Sequence, residues 1–275
     1  MTRADSGEDE AGFRRLTAKI AREKKFACGS YKDRCLRRRI AVRMRACKTP
    51  SYATYTAFLD QHPAEWEKLL DALTINVTKL FRNPDVYDAI ADVVVPELWN
   101  RTGPTVRVWS AGCSSGEETY SIAILFHRHA VAAREQSRLG RVHVLGSDID
   151  KRSLLAAERG AYRTPAFGDT RDDLRKAYFS ASDPAEVNAA IRAITRFERR
   201  DLLNDPPPNG PFQLVVCRNV MIYFDRPSQD QLMERFHSVL SPGGFLVLGK
   251  TETLFGAPRD RFTIVKQRER IYRRV

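Results

Sequence analysis

Two glycines, Gly112 and Gly116, lie between the alternating apolar run Val106-Arg-Val-Trp109 and an apolar helical stretch beginning near Glu117. Backbone poor in side chains lets a ligand come close, and amides at a helix N-terminus face whatever binds there. Further on, Arg141-Val-His-Val-Leu-Gly-Ser-Asp-Ile-Asp150 reads as a second strand ending in acids. That is where a doubly wound fold holds a ribose diol, which makes Asp148 the ribose candidate. Loop and acid together point to a nucleotide-type cofactor. Each residue also has a plainer use. Gly-x-x-x-Gly is not the dinucleotide Gly-x-Gly-x-x-Gly and serves equally as a tight turn. Asp148 could cap the helix after it, although Asp150 suits that role at least as well. Ser114 and Glu117 also fit the Ser-x-x-Glu capping box.

The elements that must position these residues follow from periodicity and punctuation. Strand, loop and helix from Val106 and the strand to Asp148 open a doubly wound α/β sheet. A helix from Lys151 stops at Gly160, and another spans about 170–179. Residues 180–200 give no clear pattern. The rigid stretch Pro206-Pro-Pro208 and Gly210-Pro211 precedes Phe212-Gln-Leu-Val-Val-Cys217, an apolar run of strand length. Arg218-Asn-Val-Met-Ile-Tyr-Phe-Asp225 follows it, at the carboxyl end where open α/β sheets place ligands. A helix from Pro227 to Leu240, a turn at Ser241-Pro-Gly-Gly244, a strand from Phe245 to Gly249 and a terminal strand pair complete the pattern.

Ahead of the sheet the reading is different. Residues 1–12 are expected to be disordered and 13–74 to form a small helical domain. In it Leu36, Ile40, Met44 and Cys47 recur at helical spacing, and Trp66, Leu69, Leu70 and Leu73 form a second apolar stripe. Residues 75–99 are read as a linker, strand-like from Leu73 to Pro84, followed by a helix. Residues 100–275 form the sheet domain, with a reduced insert at about 180–200.

Composition limits the classes available. With 275 residues, 43% hydrophobic, the chain can bury one main core and a smaller appendage. No apolar run reaches about 18 residues, and Met1 to Glu10 is acidic and polar, so neither a membrane span nor a secretory signal is expected and the protein is read as cytoplasmic. The five cysteines contain no Cys-x-x-Cys pair, so no metal site or disulfide frame is expected. The net charge is +12, and Phe13–Lys48 alone holds 14 Lys or Arg against only Glu23 and Asp33. A field that concentrated favours an acidic partner.

With those stretches in view, the chain resembles the CheR family of chemotaxis-receptor glutamate methyltransferases, which are Rossmann-like class I S-adenosylmethionine enzymes with a small all-helical N-terminal domain. The likeness rests on Ala72-Leu-Thr-Ile-Asn-Val-Thr-Lys-Leu-Phe-Arg82, Trp109-Ser-Ala-Gly-Cys-Ser-Ser-Gly-Glu-Glu-Thr-Tyr-Ser121, Ser147-Asp-Ile-Asp150, Cys217-Arg-Asn-Val-Met-Ile-Tyr-Phe224 and Gly249-Lys-Thr-Glu-Thr253. It implies that Asn76, Thr78 and Arg82 touch S-adenosylmethionine from the linker, in addition to Gly112 of the glycine loop. Glu117 would take its amino group, Asp148 the ribose, Asp201 and Leu202 the adenine side, and Asn219 and Val220 would close the pocket. Arg82 and Tyr223 would lie nearest the reacting methyl, although Tyr223 could equally be a core aromatic. The chain departs from the family pattern at Leu80, Thr119, Asp201 and Lys250-Thr251.

The implied reaction is methyl transfer from S-adenosylmethionine to glutamate carboxylates of methyl-accepting chemoreceptors, with S-adenosylhomocysteine as product. The expected partner is the acidic cytoplasmic helix of a receptor, docked on a basic face that includes Arg37, Arg38 and Arg43. A monomer without nucleic acid is expected. The rivals are a nucleic-acid methyltransferase, poorly supplied with stacking aromatics beyond Phe26 and Tyr31, and a non-catalytic cofactor-sensing module.

Overall fold

The computed structural model describes residues 3–74, 78–254 and 257–275. They fall into two compact units: residues 1–75 with Tyr223–Gln229, and Asn76–Ile222 with Asp230–Val275.

The first unit is helical: α1 (Arg3–Lys24), α2 (Asp33–Ala46), α3 (Tyr52–Gln61) and α4 (Pro63–Leu73). The described part of the N-terminal stretch expected to be disordered therefore lies in α1, where Arg14 and Arg37 both pair with Glu10. Sequence logic sets the other helix starts. Ser51 and Thr54 cap α3 reciprocally, and Pro63 occupies the first turn of α4. Leu36 and Ile40 face inward with Leu16, Ile20, Tyr55, Leu59 and Leu69. The segment 223–229 joins this unit through its backbone: Lys32 N–H donates to Tyr223 O (2.9 Å) and Asp225 N–H to Ser30 O (2.9 Å). Tyr31 also packs edge-on against Phe224, ring centroids 4.9 Å apart.

The second unit opens with α5 (Pro84–Ala89), a π turn (Ile90–Val94) and α6 (Val95–Asn100), one continuous rod where a single helix was expected. Residues 75–77 lie outside the described residues, and Leu80–Asn83 is a turn, not the strand its alternation suggested. The sheet then forms from β1 (Val106–Ala111), β2 (Val142–Asp148), β5 (Thr195–Arg199), β6 (Phe212–Cys217), β7 (Leu240–Leu248), β8 (Phe262–Lys266) and β9 (Ile271–Arg274). Its order is β5-β2-β1-β6-β7-β9-β8, parallel through β7, with β9 antiparallel to both neighbours. Between β1 and β6 the order reverses, and it is outside the carboxyl ends of strands at such a point that open α/β sheets bind ligands.

A separate pair, β3 (Ala161–Tyr162) with β4 (Ala185–Glu186), flanks this sheet. The helices are α7 (Glu117–Ala132), α8 (Lys151–Arg159), α9 (Asp172–Tyr178), α10 (Ala189–Ala193) and α11 (Arg226–Val239). Gly146 lets the layers meet: a Cβ there would stand 2.6 Å from Thr119 Oγ1 of α7 and 2.7 Å from the Phe197 ring.

Two parts of the sequence reading change here. The stretch 180–200, which gave no pattern, holds β5, the edge strand of the main sheet, whose polar Thr-Arg-Phe-Glu-Arg composition hides it. Ser241–Gly244, expected as a turn, lies inside β7. Phe212 pairs with Leu240 and Leu214 with Phe245, so the extra residues bulge out of the ladder. No helix is long and apolar enough to cross a membrane among the described residues.

Candidate functional site

At the carboxyl end of β1 the chain turns through Gly112 (φ 80°), Ser114 (φ 50°) and Gly116 (φ 91°) into α7. A Cβ on Gly112 would stand 2.5 Å from Val220 Cγ2, so the loop after β6 rests directly on the loop after β1. Gly116 is excluded from any larger residue by its φ and by Ala157, 2.8 Å from where a Cβ would sit. Its glycine therefore serves the α7–α8 packing at least as much as ligand approach.

Asp148 ends β2 and is 9% exposed. Its Oδ2 accepts the Ser114 N–H at 2.8 Å and its Oδ1 the Asp150 N–H at 2.9 Å, which ties β2 to the glycine loop. Burial pushes its carboxyl above the usual value, against these backbone donors. The helix cap is Asp150, which accepts the Arg152 N–H at 2.9 Å, leaving Asp148 for another role.

Glu117 begins α7 at 5% exposure. Ser115 Oγ donates to both its oxygens (3.0 and 2.8 Å), and the Thr78 side chain also hydrogen-bonds it. Gly116 holds the N-cap position of α7. Burial raises the Glu117 carboxyl, and no cation pairs with it among the described residues. Asp148 likewise lacks an ion pair there. Two buried, unpaired carboxylates flanking an open backbone loop fit a ligand that carries an ammonium and a diol.

Next to Glu117 in the chain is a third buried acid, Glu118, 9% exposed. Burial pushes its carboxyl up to about 7, with Arg218, Ser110 and Arg82 pulling the other way. Ser110 Oγ donates to Oε1 at 2.9 Å, and Arg218 Nη1 stands 3.7 Å from Oε2. Arg82 itself lies on the turn after the undescribed residues, between Phe81 (φ 53°) and Asn83 (φ 62°).

The loop of Asn219 and Val220 is held by a residue to which the sequence reading gave no role. Glu252, 4% exposed, accepts Asn219 N–H (2.9 Å) and Gly249 N–H (2.6 Å) on Oε2, and Val220 N–H (2.9 Å) and Ile222 N–H (3.3 Å) on Oε1. Four backbone donors on one carboxylate fix the loop's path, including the left-handed Asn219 (φ 61°). The signal was present in Gly249-Lys-Thr-Glu252, but spacing alone does not say that an acid will bind backbone.

Other expected site residues are placed differently. The Asp201 carboxylate accepts Leu203 N–H (2.9 Å), Asn204 N–H (3.2 Å) and Asn204 Nδ2 (2.8 Å), so it builds its own turn. Leu202 is buried, and its carbonyl accepts Arg235 Nη1 at 2.9 Å. Tyr223 groups with the helical unit, and Asn76 lies outside the described residues.

Of the basic residues expected to meet a partner, Arg43 already has one within its own unit. Its guanidinium forms a bidentate pair with the buried Glu65. Arg37 pairs with Glu10 and lies 3.8 Å over the Phe13 ring. Arg38 is exposed and has no ion pair among the described residues.

Residues 76–271 match a family model described as CheR methyltransferase, SAM binding domain, and residues 11–74 one described as CheR methyltransferase, all-alpha domain. The chain is 36% identical over 257 residues to the putative methyltransferase Cher3 of Pseudomonas putida, covering 89% of this chain and 90% of that protein. It is 32% identical to the chemotaxis protein methyltransferase of Klebsiella aerogenes (91% and 86% covered) and 31% identical to that of Escherichia coli (93% and 88%). Among solved structures, magnesium protoporphyrin IX methyltransferase from Synechocystis PCC 6803 aligns over 59% of this chain and 55% of its own, at a TM-score of 0.32 and 18% identity.

Proposed function

Because the chain belongs to the CheR methyltransferase family and is an S-adenosylmethionine-dependent methyltransferase, we propose that it methylates glutamate side chains on the cytoplasmic helices of a methyl-accepting chemoreceptor. The product is a glutamyl methyl ester. The observation that carries the site assignment is the pair of buried carboxylates, Glu117 and Asp148, on either side of the Gly112 loop, neither ion-paired among the described residues. In this reading Glu117 and Thr78 take the amino group, Asp148 the ribose diol, and Asn219 and Val220 the facing wall. Asn76, Asp201 and Leu202 complete the set, Asp201 through the turn it builds.

When bound, the cofactor supplies an electrophilic methyl group. The attacking glutamate has a reference pKa of about 4.3, so it is ionised at neutral pH and needs no general base. The protein's task is then to orient the carboxylate and strip part of its water. Arg82 supplies a charge partner and Tyr223 a hydroxyl donor for that orientation. Receptor docking uses the basic face of α2, centred on Arg38, with the chain acting in the cytoplasm as a monomer.

The test is transfer of labelled methyl from S-adenosylmethionine to a receptor cytoplasmic fragment, followed by mild base. Release of volatile labelled methanol is expected. Label that stays on protein through base, or enters RNA instead, would overturn the ester reading.

A further inference from the structure

Arg218, the first residue after β6, is spent on an odd set of partners for a buried cation. Its side chain is 2% exposed, yet its nearest carboxylate oxygen, on Glu118, is 3.7 Å away. Its shorter bonds go to the turn that carries Arg82. Nη2 donates to the Arg82 carbonyl at 2.7 Å and to Asn83 Oδ1 at 2.9 Å, and Nη1 donates to the Tyr87 hydroxyl at 3.2 Å. That turn is one the chain does not adopt readily, because Phe81 and Asn83, on either side of Arg82, are both left-handed non-glycine residues. Phe81 is pinned in turn by its N–H, which donates to Ser121 Oγ at 2.9 Å. A cation kept only to neutralise a buried acid would sit closer to it. Arg218 instead uses its planar fork to hold two consecutive residues of a strained turn, with Glu118 behind it and Ser110 holding Glu118.

We propose that Arg218 is a positioning residue for methyl transfer: it fixes the 81–83 turn so that the Arg82 guanidinium meets the attacking carboxylate, and Glu118 orients Arg218 for that task. The inference rests on the reading of Arg82 given above. Arg218 touches neither substrate nor cofactor in this scheme; its whole effect passes through Arg82.

The test is a double-mutant cycle on the full-length protein, read as kcat at saturating cofactor and receptor. Lysine cannot span both acceptors, so Arg218→Lys should lower kcat about tenfold or more. In an Arg82→Lys background the same change should lower it further by no more than about twofold, since its route is already impaired. Should Arg218→Lys fold poorly, Asn83→Gly removes one acceptor while tolerating the left-handed φ, and should show the same non-additive loss on a smaller scale. Losses that multiply in the double variant, or wild-type kcat in both Arg218→Lys and Asn83→Gly, overturn the inference. Wild-type kcat in Arg82→Lys and Arg82→Ala would instead overturn the reading of Arg82, and the positioning role with it.

Discussion

Arg43 and Glu65 are joined by two parallel hydrogen bonds, Nε to Oε1 and Nη2 to Oε2, each 2.8 Å long, inside the helical unit. Tyr55 OH adds a third bond to Oε1 at 2.9 Å. Burial opposes the charge on Glu65, but Arg43, Tyr55 and Cys47 together hold its carboxyl below the usual value. Arg43→Ala leaves a carboxylate at 4% exposure without its partner and should cost about 3–5 kcal/mol of stability at neutral pH. The sign with pH follows from the lowered pKa. The pair's contribution is present above the unfolded value of 4.5 and fades as pH falls through the folded one. Urea unfolding of wild type and Arg43→Ala at about pH 7 and about pH 4 should therefore show the gap shrinking in acid. A gap independent of pH would mean that Arg43 stabilises through packing alone.

Glu252 offers a sharper substitution, because both its oxygens face N–H donors. An amide can accept on one side only and turns its own N–H groups toward the other pair. Glu252→Gln should thus be nearly as damaging as Glu252→Ala, about 1–3 kcal/mol in stability. The product's affinity should fall too, since the released loop carries Val220, whose methyls rest on Gly112. Thermal unfolding and calorimetry with S-adenosylhomocysteine read the two effects. An amide variant that binds like wild type would show that the loop keeps its path without the carboxylate.

Which parts of this protein the sequence discloses depends on where their determinants lie. Gly112, Gly116 and the strand–loop–helix around them were readable, because the tight turn and the apolar periodicity are local. That Asp150 suits the cap was readable too, since position just before a helix is a local property. The partner of Arg43 was hidden for the opposite reason: Glu65 meets it across α2 and α4, and charge counting cannot see a partner on another helix. The turn that the Asp201 carboxylate builds was not legible, because its donors, Leu203 N–H and the Asn204 backbone and side chain, are fixed only once the chain folds back there. β5 was missed because its residues carry charge and only its pairing with β2 reveals it.

Glu117 should make cofactor binding proton-linked. Burial raises its carboxyl above 4.5 in the free protein. An ammonium bound against it favours the charged form, so affinity should weaken as pH falls through the raised value and binding should release a proton there. Calorimetry with S-adenosylhomocysteine from about pH 8 to about pH 5, in two buffers of different ionisation enthalpy, measures this directly. Glu117→Gln should reduce the buffer dependence to whatever the buried Asp148 carboxyl contributes. Asp148→Ala should retain the part due to Glu117 while losing about 1–3 kcal/mol of binding with the ribose hydrogen bonds. If wild-type affinity does not change with pH, the ammonium is held elsewhere.

Docking of a receptor helix on α2 must be tested with residues that the fold does not use. Arg43 is committed to Glu65 and Arg37 to Glu10, so reversing them would report on stability. Arg34, Arg38 and Arg45 are exposed on the same helix and form no ion pair among the described residues. Exposed contacts are worth about 0–1 kcal/mol each, so single substitutions should do little. Arg34, Arg38 and Arg45 all changed to Glu should raise the Michaelis constant for an acidic receptor fragment about tenfold or more, leaving S-adenosylhomocysteine affinity and unfolding temperature near wild type. Added salt should weaken wild-type docking and hardly affect the triple variant, since the attraction that salt screens has been removed. Normal receptor methylation by the triple variant would free this face from the receptor, and a tight, salt-sensitive complex of the wild type with RNA would then identify a different partner.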